Sequence, residues 1–342
     1  LVWRLVGGEA DTLPRSACQA GYKACWSPSE GYPSKAFLNA LRPGFGDHVL
    51  PRLPGRSVAP GERAGTLCAD IAERFGLPAD IPVSAAIIDA HAGVPGAGVG
   101  GPDTLVMVMG TSSCHMLCSR VHREVPGVAG IVRDGILPGL VGYEMGQAAV
   151  GDAFNWLQRL TGRDLSDLAE EAADLPPGAD GVLNIDWFNG CRTPLMNGDL
   201  TASLHGLRLG TTPAHLYRAI AEATACGLRW IVELLREHEV PITRFVATGG
   251  LPHASPLLVQ IYADVLNEPV HMHPAKHGPA VGAAILGALA AGPEVTGLAT
   301  MVDAVAAMSS PAEDPVMPQP ASVSIYDDVY RRYRNIAARA SR

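Results

Sequence analysis

Asp89 follows an apolar run, Pro82-Val83-Ser84-Ala85-Ala86-Ile87-Ile88, and precedes a stretch of small residues. Such a run is expected as a buried strand, and ligands of α/β sheets bind where strands end. A carboxylate placed there can take a proton from a substrate hydroxyl. It can equally be the N-cap of a following helix, because Asp accepts from the free amides of a first turn. Position alone leaves both readings open. Glu144 lies in Tyr143-Glu144-Met145-Gly146-Gln147, after a Pro-Gly turn. Its carboxylate can accept from ligand hydroxyls, or sit in solvent or in the first turn of a helix. Lys23, in Gly21-Tyr22-Lys23, can donate to an oxygen-rich ligand or be a surface lysine.

Two turns have the composition a phosphate group needs. Gly110-Thr111-Ser112-Ser113 offers backbone amides and small hydroxyls with no bulky side chain in the way. Gly249-Gly250, after an apolar run, lets a nucleotide approach the backbone closely. Neither turn is a Walker A loop or a G-x-G-x-x-G fingerprint, and each is also an ordinary connection. His271-Met272-His273, with His277 nearby, puts two imidazoles on one face of a strand. No carboxylate or Cys completes a set at ligand spacing, so no metal site is assigned.

The elements that must position these residues alternate between strand and helix, which makes the class α/β. Gly61 to Pro78 reads as a turn and a short helix. Ala90 to Gly101 is small and Gly-rich, a break in composition that places a domain boundary near residue 99. Thr104–Met109 and His115–Cys118 read as the strands of a hairpin around the Gly-Thr-Ser turn. Thr212-Pro213 opens a helix, with Thr at the N-cap and Pro at the first position. Leu216, Ile220, Ala223, Gly227, Trp230 and Leu234 then recur at helical spacing and predict one buried face. Ile242–Thr248 is a strand, Ser255-Pro256 caps another helix, Glu268–Met272 is a strand, and Pro279–Ala291 is an Ala/Gly-rich helix.

Composition limits the functions available. With 47% hydrophobic and 18% charged residues among 342, the chain can bury a substantial core. Its net charge of −8 and lack of a basic patch argue against nucleic acid as a partner. Seven scattered cysteines without a CxxC pair point to a reducing compartment, and thus to the cytoplasm. No apolar run is long enough to span a membrane, so no membrane partner is expected. The first residues, Leu1-Val2-Trp3-Arg4-Leu5, read as the inside of an element, as in a truncated chain.

The order of these motifs resembles the FGGY carbohydrate kinase family. His215-Leu216-Tyr217-Arg218-Ala219-Ile220-Ala221-Glu222 is similar to the family's long-helix signature. Thr248-Gly249-Gly250 through Ser255-Pro256 and on to Val265 is similar to its nucleotide-site segment. Ala17 to Lys23, Asp89-Ala90-His91, Gly110 to His115, Gly142 to Gln147 and Asp186-Trp187-Phe188-Asn189-Gly190 resemble the branch that phosphorylates L-ribulose.

The resemblance implies an actin-like (ribonuclease H-like) two-domain kinase fold whose first domain is incomplete. Residues 1–98 would be the C-terminal part of a sugar-binding domain, and 99–342 the ATP-binding domain. It implies Asp89 as catalytic base and substrate contact. It implies Lys23 and Glu144 as contacts to a ketopentose, and Gly110, Thr111, Ser112, Gly249 and Gly250 as the ATP site. ATP and Mg²⁺ would be the cofactors, a sugar and ATP the small-molecule partners, and a homodimer a candidate assembly. The family's N-terminal strand-turn-strand, with its own Asp and Gly-Thr phosphate loop, has no counterpart here. Rival expectations are a kinase for xylulose, glycerol or a related polyol, a non-catalytic nucleotide-binding module, and an actin-like assembly protein.

Overall fold

The computed structural model describes residues 1–8, 10–53, 55–275 and 277–341. Its central element is a six-stranded sheet. The strands are β1 (Thr104–Met109), β2 (Ser113–Ser119), β3 (Gly130–Arg133), β4 (Val141–Gln147), β5 (Arg244–Thr248) and β6 (Val270–Met272). Their spatial order is β6-β5-β1-β2-β4-β3. β6, β5 and β1 run parallel, and β2, β4 and β3 continue antiparallel.

Seven helices matter for the site: α1 (Ala17–Ala24), α2 (Asp89–Gly96), α3 (Gly151–Thr161), α4 (Pro213–Glu237), α5 (Pro256–Leu266), α6 (Gly278–Ala291) and α7 (Pro320–Ala340). Both faces of the sheet are covered, which is why β1 is apolar at every position from Leu105 to Met109. Leu105, Met107 and Met109 join Leu117, Tyr143, Met145 and Phe245 in one core with α4 and α5. Val106, Met116, Cys118 and Val246 point the other way, into a second core with α2 and α6. This is the two-residue alternation of a pleated strand.

The expected hairpin forms around the Gly110 turn, with Met109 opposite Ser113. Thr212 caps α4 in reciprocal bonds with His215, three residues on. Ser255 accepts from the Leu258 amide and starts α5. Of the predicted face of α4, Ile220, Ala223 and Gly227 are buried, and Leu216, Trp230 and Leu234 are half-buried. Tyr217, Ala219, Ala221, Ala225, Cys226, Leu228 and Ile231 are buried as well. Between Tyr217 and Leu228 the helix is buried all round, including Arg218 and Glu222, which pair at 2.9 Å, and its charged residues toward the C-terminal end are less buried.

Three expectations near the first motif need correction. The strand predicted over 82–88 is only Pro82–Ser84. It pairs with Arg63–Thr66 in a two-stranded sheet, outside the central one. Pairing ends where the Ala85 amide donates to the Glu62 carbonyl at 3.1 Å. Arg63–Thr66 lies within the stretch expected to be a turn and a short helix, and it is a strand. Lastly, the Gly-rich stretch from Ala90 is mostly helix α2. Its small residues serve helix packing: a Cβ at Gly96 would overlap the Gly278 carbonyl, and one at Gly282 would overlap the Ala92 carbonyl. The two helices therefore touch backbone to backbone.

Gly282→Ala is expected to lower the urea midpoint by the equivalent of about 1–3 kcal/mol, the usual cost of overpacking. Gly287, on the same helix, has open space where a Cβ would go, so Gly287→Ala is expected to be neutral or slightly stabilising. Equal effects of the two substitutions would contradict the packing account.

Candidate functional site

Glu144 sits in the middle of β4, opposite Met116 on β2 and Gly130 on β3. Its neighbours Tyr143 and Met145 point into the α4 core, so Glu144 points to the opposite face, toward α1 and α2. It is a buried carboxylate, 7% exposed. His91 Nε2 of α2 lies 3.3 Å from its Oε2. Lys23 Nζ, from the last turn of α1, lies 3.9 Å from its Oε1. Arg192 Nη2, from the loop after Asp186-Trp187-Phe188-Asn189-Gly190, lies 3.9 Å from the same oxygen. Burial alone would raise the Glu144 carboxyl. The His91 contact and the nearby charges of Lys23 and Arg192 outweigh it and hold the carboxyl below its ordinary value.

The support for this cluster is built from glycines. Tyr22 stacks on His91 with ring centroids 4.4 Å apart and planes 18° apart. A Cβ at Gly130 or Gly142 would come within 2.5 Å of Tyr22, and one at Gly135 within 2.7 Å. Three glycines thus form the slot that takes the tyrosine ring, and α1 docks on β3 through a fourth, Gly21, against Val132. Behind the imidazole, Cys18 Sγ lies 3.6 Å from His91 Nδ1. Burial pushes the Cys18 thiol up to about 12, so it stays protonated.

The opposite face of β4 carries a buried polar chain. The Gln147 amide donates to Asp186 Oδ2 at 3.0 Å and to the Thr224 carbonyl at 2.8 Å. Its carbonyl oxygen faces His115 Nε2 at 3.0 Å. Tyr333, near the end of α7, donates to Asp186 Oδ1 at 2.7 Å. Burial raises Asp186 and pushes His115 down to about 4, so His115 is neutral and donates through Nε2. Gly227 of α4 is glycine because a Cβ there would press on Gln147 and Asp186.

The two small turns leave the carboxyl ends of adjacent parallel strands. Val108 pairs with Thr248, so Gly110 and Gly249 emerge side by side. Gly249 has φ 101°, and a Cβ there would overlap the Met109 carbonyl, so only glycine fits. Gly250 faces open space. The Gly110 turn is pinned from below: Gly151 donates to the Gly110 carbonyl at 2.9 Å, and Val150 and Asp152 donate to that of Thr111 at 3.0 and 3.1 Å. The Thr111 side chain is exposed.

Of the predicted residues, Lys23 and Glu144 meet directly. Asp89 is exposed and occupies the first position of α2, two residues before His91. It is not the N-cap, which is Ile88; its Oδ1 accepts from the next amide, Ala90, at 2.8 Å. Gly110–Ser112 and Gly249–Gly250 form a second group. Ser113 stands opposite Gln147, three residues from Glu144 along β4, which is about 10 Å. Sequence reasoning missed Arg192 and gave His91, Tyr22 and Cys18 no role. The glycines at 130, 135 and 142 were a signal for a large ring packed on the sheet.

A family model described as "FGGY family of carbohydrate kinases, C-terminal domain" matches residues 105–291. The chain belongs to the FGGY family of carbohydrate kinases. It is 41% identical to the ribulokinase of Bacillus licheniformis, over 98% of this chain and 62% of that protein. It is 42% identical to the ribulokinase of Halalkalibacterium halodurans, over 94% of this chain and 59% of that one. Among solved structures, xylulose kinase from Rhodospirillum rubrum superposes with a TM-score of 0.76 at 28% identity, covering 86% of this chain and 58% of that one. The expected actin-like fold is thus the fold of this FGGY chain, which spans about three-fifths of the length of the curated relatives it matches.

Among the described residues, no group of three His, Cys, Asp or Glu could hold a metal ion. His273 lies past the end of β6, with Nε2 2.9 Å from the Ser310 carbonyl and Nδ1 accepting from Ala275 at 3.2 Å. No single helix among the described residues is long and apolar enough to cross a membrane.

Because folding lowers the Glu144 value, its ionised form stabilises the fold above the unfolded carboxyl value near 4.3. That contribution is lost as pH falls through the lower folded value. Urea midpoints of the unsubstituted chain and Glu144→Gln are therefore expected to differ most at neutral pH and to converge on acidification. A gap that does not change with pH would contradict the assigned charge.

Proposed function

We propose that this FGGY chain phosphorylates L-ribulose at its terminal hydroxyl, using ATP, in arabinose breakdown in the cytoplasm. Residues 1–98 form the sugar side and 99–342 the nucleotide side, with Glu144 reaching across to Lys23. The observation that carries the reading is the buried Glu144 carboxylate, ringed by Lys23, His91 and Arg192, on the same sheet as the paired Gly110 and Gly249 turns. A polyol needs charged hydrogen-bond partners, and a triphosphate needs open backbone. Identity to two ribulokinases above 40% supports ribulose over xylulose or glycerol. Fold alone would not choose among sugars.

In this mechanism Lys23 and Glu144 orient the ketose. Asp89, exposed at the start of α2, accepts the proton of the attacking hydroxyl. The sugar oxygen bonds to the γ-phosphorus as the bond to the β-phosphate oxygen breaks, and ADP leaves. The Gly110-Thr111-Ser112 turn and Gly249-Gly250 hold the nucleotide by backbone approach and small hydroxyls. The open space beside Gly250 and the exposed Thr111 side chain suit such a ligand. Mg²⁺, when bound on the phosphates, neutralises charge there.

The test is ADP release from ATP and Mg²⁺ with L-ribulose, D-ribulose, D-xylulose and glycerol. It is run on the chain and on the chain joined to the N-terminal segment of the Bacillus licheniformis relative. L-ribulose is expected to give the highest kcat/KM. Release that no sugar stimulates in either protein would overturn the reading in favour of a nucleotide-binding module. Asp89→Asn is expected to lower turnover by about 10²–10⁴-fold, the usual share of a general base, and to leave nucleotide affinity unchanged. Undiminished turnover in that variant would remove Asp89 from the role.

A further inference from the structure

His91 is 1% exposed, and the mechanism above gives it no task. It is an expensive residue to bury unless its nitrogens are used. Each nitrogen faces one group: Nε2 faces Glu144 Oε2 at 3.3 Å, and Nδ1 faces Cys18 Sγ at 3.6 Å. The ring is clamped flat against Tyr22, which is itself locked in the slot of Gly130, Gly135 and Gly142. The imidazole therefore has no freedom to turn. The two oxygens of Glu144 are divided as well. Oε2 lies 3.3 Å from the Nε2 of the buried histidine, which has no other polar partner among the described residues, and Oε1 faces Lys23 and Arg192, whose side chains are 59% and 38% exposed. One oxygen faces inward to the imidazole, and the other faces outward between two cations.

We propose that His91 is a positioning residue of the sugar site. Its Nε2–H holds Glu144 Oε2, Cys18 S–H fills Nδ1 and fixes that tautomer, and Glu144 Oε1 is thereby aimed at a ligand hydroxyl together with Lys23 and Arg192. The proposal rests on the sugar-kinase reading for the identity of the ligand. Its own content is the division of labour within Cys18, His91 and Glu144. A protonated thiol that donates to Nδ1 needs that nitrogen bare, which leaves the single proton of the neutral imidazole on Nε2. A carboxylate anchored in this way keeps one rotamer and loses less freedom on binding a sugar.

Two measurements test it. The first is the nitrogen-15 spectrum of the imidazoles at neutral pH, assigned with His91→Gln. A protonated Nε2 and a bare Nδ1 are expected for His91, with the tautomer ratio shifting in Cys18→Ala. A protonated Nδ1 in the unsubstituted chain would overturn the proposal. The second is kinetic and uses the protein that shows sugar-dependent ADP release. His91→Phe keeps the stack on Tyr22 but has no N–H, and is expected to raise the KM for L-ribulose about tenfold or more. The KM for ATP is expected to stay unchanged. His91→Gln keeps a donor at the right reach and is expected to restore most of the loss. Equal losses in Phe and Gln, or a parallel rise in the KM for ATP, would mark His91 as merely structural and refute the proposal. Absence of sugar-dependent turnover in the unsubstituted protein refutes the kinase reading and the sugar-site role with it. The imidazole spectrum still decides the hydrogen-bond order.

Discussion

Helices α2 and α6 approach until the backbone of one lies against the backbone of the other. Gly96 faces the Gly278 carbonyl, and Gly282 faces the Ala92 carbonyl, with no room for a Cβ at either place. The rest of the site inherits its placement from this contact. Gly278 also lies beside Thr248 at the end of β5, where the Gly249 turn begins. Gly93 of α2 rests on Val108 of β1, one strand over. One helix therefore spans from the strand ends that carry the small turns to the residues that touch Glu144. Asp89 begins that helix, and the His91 side chain projects from it two residues later. Packing at this density transmits small displacements rather than absorbing them. In a reaction that depends on alignment, a shift of about 1 Å costs roughly 10²-fold.

A second dependence runs through burial. Glu144 would resist ionisation in its buried position if it stood alone. Three cationic or donating groups reverse that, and each comes from a different segment: α1, α2 and the loop after Gly190. The cluster forms only when all three segments are in place. On the other face of the same strand, Gln147, Asp186, His115 and Tyr333 form a chain that is satisfied almost throughout. Such networks fix one arrangement of a core because a partly satisfied alternative is costly. β4 is thus held on both faces by polar contacts of opposite purpose.

Much of this was legible in the sequence, for local reasons. The caps at Thr212 and Ser255, the hairpin around Gly110 and the apolar strands at 104–109 and 244–248 are written in neighbouring residues. Lys23, Glu144 and the two glycine turns could be named, because short motifs and a family resemblance carry them. The strand before Asp89 is shorter than its apolar run. Ala85 to Ile88 are apolar, but their partner pairing ends at Glu62, and apolarity does not reveal where pairing ends. The small residues from Ala90 to Gly101 looked like a linker because helix–helix contact and loop demand the same glycines. Arg192 was invisible: it lies 48 residues from Glu144 in the chain, and only the loop that returns it to the sheet makes it a neighbour. His91 was visible as a residue but not as a role, since that role depends on Cys18, Tyr22 and three distant glycines.

The proposed reaction requires the terminal carbon of the sugar to lie toward the nucleotide phosphates. The direct measurement uses carbon-13-labelled L-ribulose and ADP with Mn²⁺ in place of Mg²⁺, and reads the relaxation that the bound ion induces at each sugar carbon. The account predicts enhanced relaxation that requires protein, nucleotide and sugar together, strongest at carbon 5 and falling toward carbon 1. Sugar that binds without such relaxation, or with the gradient reversed, would contradict the placement of the two sites.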